Sequence, residues 1–113
     1  MKLKKSTLRV ILVTAPAKEA ESLARTLLEE RLIACANLIP KVTSLYWWDG
    51  KIERGAETLI VMKTPRTLTR KLFARLKKLH SYAVPEFRAL APVESNPDYE
   101  AWAVNSVSRS PSR

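Results

Sequence analysis

Two periods of hydrophobic residues alternate along this chain, and each switch marks an element. Leu8-Arg9-Val10-Ile11-Leu12-Val13-Thr14 is almost unbroken in apolar and β-branched residues, the pattern of a central strand buried on both faces. Pro16 breaks it. Between Ala17 and Arg31 the apolar residues Ala20, Leu23, Ala24, Leu27 and Leu28 recur at helical spacing, one face of an amphipathic helix. A second strand is expected from about Leu32 to Trp48, with Pro40 imposing a bulge or an edge. Asp49-Gly50 predicts a two-residue turn, because both central positions of a type I′ turn need positive φ.

The third strand is expected from Lys51 to Lys63, with Gly55 as a second irregularity. Thr64-Pro65 reads as a hydroxyl cap followed by a first-turn proline, opening a helix with Leu68, Leu72, Leu76 and Leu79 as its buried stripe and Phe73 at its edge. Pro85 stops further helix, Glu86 to Val93 reads as a fourth strand, and Pro92 puts it at an edge or an end. Asn96-Pro97 repeats the cap signal before a short helix lined by Tyr99, Trp102 and Ala103. The order is βαββαβ plus a helix, an α+β fold of ferredoxin-like type with its helices on one face of an antiparallel sheet. Residues 1–7 are expected to be a basic extension, 8–106 a single domain and 107–113 a flexible tail.

Length makes the hairpin unusual. Residues 33–48 would extend roughly 50 Å at about 3.3 Å each, whereas a domain of this size has a radius of gyration near 13 Å. The tip must project or bend back at Pro40. A projecting hairpin bearing Tyr46, Trp47 and Trp48 invites aggregation unless it is paired. A symmetric oligomer whose subunits cover each other's hairpins is the economical solution.

Composition adds a compartment and a charge. No apolar run reaches membrane-spanning length. The apolar run behind the basic N-terminus is too short for a signal-peptide core, and the single Cys35 fits a reducing environment, so cytoplasm is the expected location. The net charge is +9, with seven basic residues and no acid from Lys63 to His80. Arg70, Lys71, Arg75 and Lys78 form the expected basic face of the second helix. No helix-turn-helix or RNP-like signature accompanies it. Weak, salt-sensitive polyanion binding is the expected property of that face, and nucleic acid is not the expected partner.

The motifs themselves are familiar. Val13-Thr14-Ala15-Pro16, the run Glu30 to Pro40, the run Ser44 to Ile52, Met62-Lys63-Thr64 and the run Leu79 to Glu86 carry a resemblance to the CutA divalent-cation tolerance family over about Leu8 to Ser106. The resemblance implies a non-enzymatic homotrimer built by neighbouring hairpins. In architecture that trimer is similar to PII signalling proteins, whose clefts between subunits hold small ligands. It also implies a link to copper or another divalent cation. The sequence itself shows no paired carboxylates, no nucleophile–base pair and no phosphate loop, so no enzymatic activity is expected.

Cys35 and His80 are the metal-ligand candidates, since thiolate and imidazole suit copper or zinc. Each also has a plainer reading: Cys35 as a small buried hydrophobe, His80 as a cation at a helix C-terminus. The chain departs from the metal-binding members at Val13, where they have cysteine, and at Leu79, where some have a second histidine. Ser81 and Ala83 replace the family's usual proline and acid. Lys63, Tyr82, Glu86 and Trp48 are the residues expected at a cleft between subunits. Trp47 and Trp48 point to opposite faces of their strand and are expected at the oligomer interface.

Overall fold

A computed structural model describes residues 2–108. Its elements are β1 (Leu8–Ala15), α1 (Ala17–Glu29), β2 (Cys35–Trp48), β3 (Lys51–Pro65), α2 (Thr69–Leu79, preceded by a 3₁₀ turn at Arg66–Leu68), β4 (Arg88–Leu90) and α3 (Pro97–Ser108). The sheet has four strands in the order β2-β3-β1-β4, every neighbouring pair antiparallel. This is the ferredoxin-like arrangement expected from the element order.

One face of the sheet carries the core. Ile11, Val13 and Ala15 of β1 and Ile60 and Met62 of β3 alternate toward the helices. They meet Ala20, Leu23, Ala24 and Leu27 of α1 and Leu72 and Leu76 of α2. A smaller cluster of Leu8, Ala34 and Ala103, with Val107 against it, seats α3. Helix α3 therefore continues through two residues expected in the tail; residues 109–113 lie outside those described.

Helix α1 stops at Glu29, two residues short of the expected end, because Arg31 takes a left-handed φ of 60°. Leu32 N–H then bonds Leu27 O and Arg31 N–H bonds Leu28 O, the paired bonds of a Schellman stop. Arginine fills the place glycine usually takes, and its Nη1 donates to Ser106 O at 3.0 Å.

Four expectations need correction. Thr64 does not cap α2. It is the last but one residue of β3, paired with Arg9, and its hydroxyl donates to Leu32 O at 2.7 Å. Tertiary pairing thus carries the strand two residues past Lys63. Strand β2 begins at Cys35 rather than near Leu32. Gly55 makes no bulge; it stays in register opposite Ser44. Strand β4 is only three residues long, and its prolines, Pro85 and Pro92, flank a segment that pairs β1 only at Arg88, Ala89 and Leu90. By contrast the bulge at Pro40 is present, between Ile39 and Val42, with Lys41 at φ 60°. Asn96 caps α3 as read, its Oδ1 accepting from Asp98 N–H at 2.9 Å.

The hairpin projects. The chain measures 48 × 34 × 22 Å, and its radius of gyration of 15.2 Å exceeds the roughly 13 Å of a compact domain of this length. Asp49 and Gly50 both have positive φ at the tip, as a type I′ turn requires.

Candidate functional site

Register decides what the hairpin presents. The bulge at Pro40-Lys41 inserts one residue into β2, so the phase of its side chains changes there. Cys35, Asn37 and Ile39 face away from the helices before the bulge; Ser44, Tyr46 and Trp48 do so after it. Glu57 of β3 and Thr14 of β1 point to that same side, Glu57 being paired with Val42 and Thr14 with Leu59. Leu45 and Trp47 take the opposite face, with Ile52 across from Trp47.

A groove of about 840 Å³ opens on the first of these faces, against the loop that follows α2. Tyr46, Trp48, Glu57, Tyr82 and Glu86 are among its walls, with Thr14 at its floor. Three of the four residues expected at a cleft, Tyr82, Glu86 and Trp48, therefore do converge. Lys63 does not. It sits toward the other end of β3, paired with Cys35, and its ammonium donates to Asn37 Oδ1.

Tyr82 is anchored at both ends. Its hydroxyl donates to Glu57 Oε2 at 2.8 Å, and its backbone N–H donates to His80 Nδ1 at 3.0 Å. Burial, followed by the Glu57 carboxylate, pushes the phenol up to about 12, so it stays protonated at neutral pH. Glu86 is held by Arg88 at 3.2 Å. Glu57 escaped the reading of the sequence: nothing marks it as functional among the acids of the hairpin, and only the fold of the loop after α2 brings Tyr82 to it.

His80 has a structural assignment. Its side chain is wholly buried. Because a backbone N–H can only donate, Nδ1 accepts from Tyr82 and Nε2 carries the proton given to Thr14 O at 2.8 Å. Both ring nitrogens are therefore used. Cys35 lies elsewhere, its Sγ sharing a hydrogen bond of 3.4 Å with Tyr99 Oη on α3. Burial, then the thiol, pushes Tyr99 up to about 12. Cys35 is tied through Lys63 to the level of Val10 on β1, whereas His80 binds at Thr14, four residues further along the strand. Among the described residues no three His, Cys, Asp or Glu side chains gather as a metal site would need. Within the single chain the residues present do not fit the copper site expected from Cys35 and His80.

The basic face also changes. Arg75 is not free: its guanidinium forks onto both oxygens of Glu30 at 2.8–3.1 Å. That bond lowers the Glu30 carboxyl. Arg70, Lys71 and Lys78 remain exposed.

A ferredoxin-like α+β chain with an overlong apolar hairpin and a groove along the hairpin's outer half is the class of protein these features define. A family profile described as CutA1 divalent ion tolerance protein matches residues 9–106, and the chain belongs to that family. The divalent-cation tolerance protein CutA of Thermus thermophilus is 44% identical over 94 residues, covering 82% of this chain and 91% of that protein. The chloroplastic CutA 1 of rice is 41% identical over 102 residues, covering 89% of this chain but only 58% of its own length. Among solved structures, the Thermus thermophilus protein superposes with a TM-score of 0.84 at 41% identity, covering 88% of this chain and 97% of that one. A CutA of Archaeoglobus fulgidus, described as periplasmic, gives 0.85 at 34% identity, covering 88% and 98%.

These relatives overturn the cytoplasmic expectation. One is named chloroplastic and another periplasmic. A lone cysteine and the lack, among the described residues, of a helix long and apolar enough to cross a membrane suit all of these compartments, so neither carries an address.

Proposed function

We propose that the chain works as a non-catalytic homotrimer of the divalent-cation tolerance family, whose grooves, completed by neighbouring subunits, bind a small ligand. One observation carries the reading. Leu45, Tyr46, Trp47, Trp48 and Ile52 crowd the projecting tip and are 46–73% exposed in the single subunit, immediately beside the groove. Isolated apolar side chains on a surface are ordinary, but a contiguous patch of this kind marks an interface. Aromatic residues are enriched in such contacts.

The groove's chemistry supports binding rather than turnover. Tyr82 is a neutral phenol engaged by Glu57, and Glu86 is held by Arg88. The geometry of one subunit gives no support to a copper site on Cys35 and His80, so the ligand is proposed to meet Tyr82, Glu57 and Trp48 instead. A crystal structure of the assembly tests this. Three hairpins packed around one axis, with each groove bordered by a second subunit, would support the reading. A groove lying open on the outside of the assembly would refute it.

A further inference from the structure

The exposed side of α2 carries positive charge that the groove does not use. Leu72 and Leu76 point into the core, leaving Arg70, Lys71, Lys77 and Lys78 on the solvent side around Ala74. Among the described residues none of these four has an acid within ion-pairing distance, and the whole stretch from Lys63 to His80 lacks an acid. Arg75, by contrast, already belongs to Glu30.

Beside these cations lies a second concavity, of about 300 Å³, walled by Phe73 and Phe87 and edged by Arg70. The two rings stand 5.0 Å apart at 52°, Phe73 is 38% exposed, and Lys77 Nζ lies 5.6 Å from its centroid. Charge alone would suit any polyanion. Aromatic surface interleaved with the charge is more selective, because it offers a flat ring something to rest on. An acidic protein or an intact duplex presents no free base to it; a single strand does.

We propose that this face binds single-stranded nucleic acid without sequence preference, phosphates along Arg70, Lys71, Lys77 and Lys78 and a base against Phe73 and Phe87. The helix has 11 residues, about 16 Å at its ordinary rise, enough to lie along a few nucleotides. The binding is electrostatic in the main and so falls steeply with salt.

Fluorescence anisotropy of a labelled oligothymidylate of about 12 nucleotides, titrated with the full chain at several salt concentrations, tests it. Four phosphate contacts predict a slope of log K against log salt near −3 for a single strand. Lys71→Ala with Lys78→Ala makes the slope shallower by about 1.4. Phe73→Leu, which preserves an apolar side chain in the fold, weakens binding on the order of tenfold. Thermal melts confirm that the variants stay folded. The proposal is overturned by no binding at low salt, by equal binding to a duplex of the same length or to polyglutamate, or by an unaffected Phe73→Leu variant.

Discussion

Tyr82 Oη donates a 2.8 Å hydrogen bond to Glu57 Oε2, tying the loop after α2 to the outer half of the β2–β3 hairpin. No other hydrogen bond between described side chains links these two segments. Tyr82→Phe removes this bond alone and is expected to cost about 0.5–1.5 kcal/mol, read from urea midpoints at unchanged m-value. Ultraviolet titration should show Tyr82 and Tyr99 ionising near 12, and Tyr82→Phe should delete one of those transitions.

His80 braces the same loop from below. Replacing it with alanine strands Thr14 O and Tyr82 N–H, each a buried or half-buried partner, and is expected to destabilise the fold by about 2–4 kcal/mol. Nitrogen NMR of the ring should report the neutral Nε2–H form. An Nδ1–H tautomer would contradict the assignment.

Glu100 locks the N-terminal segment to α3. The residue is 2% exposed, and its carboxylate accepts from Ser6 Oγ at 2.9 Å and Thr7 N–H at 2.8 Å. Burial pushes the carboxyl up, but the bonds from Thr7, Ser95 and Ser6 together outweigh it, leaving it below its ordinary 4.5. A carboxyl lowered by folding stabilises the protein above its unfolded value, and that contribution fades as pH falls through the folded one. Glu100→Gln should therefore cost about 1–3 kcal/mol at pH 7. The gap between wild type and variant should narrow below about pH 4.5. A gap constant across that range would contradict the lowered carboxyl.

Lys41 holds the bulge in a left-handed conformation at φ 60°. Lys41→Gly relieves the Cβ clash, worth roughly 1–2 kcal/mol, against roughly 0.5–1 kcal/mol of extra chain entropy. A net gain of up to about 1.5 kcal/mol in thermal or denaturant unfolding is expected. Lys41→Val, β-branched at positive φ, should lose stability.

The hairpin tip supplies a direct perturbation of assembly. Trp47 and Ile52, paired across the two strands, lie outside the lining of the groove. Trp47→Lys with Ile52→Glu buries charge in any interface built there and should dissociate the oligomer while leaving the subunit's helical circular dichroism intact.

Much of this was legible in the residues, and the exceptions have physical causes. Unbroken β-branched runs and helical stripes located β1, α1 and α2 because burial against one sheet face dictates them. Asp49-Gly50 and Asn96 announced their turn and cap because each conformation admits few residue types. Thr64-Pro65 misled because a local cap signal lost to ladder pairing with Arg9 and Leu8. Pro40 announced a bulge, but its presence alone does not say which way the tip's side chains turn afterwards. That phase brings Tyr46 and Trp48 to Glu57, so the groove depends on a backbone detail of a single residue. A solitary histidine, likewise, looks the same in a sequence whether it holds a metal or two backbone groups. Pairing Cys35 with His80 rested on residue type, and the sheet register separates them.

The central claim is assembly through the hairpin, and solution mass tests it most directly. Size-exclusion chromatography with light scattering should return about three times the 12.8 kDa chain mass, unchanged on dilution. A folded species of 12.8 kDa that persists at all concentrations, with its tip tryptophans exposed to solvent quenchers, would contradict the account.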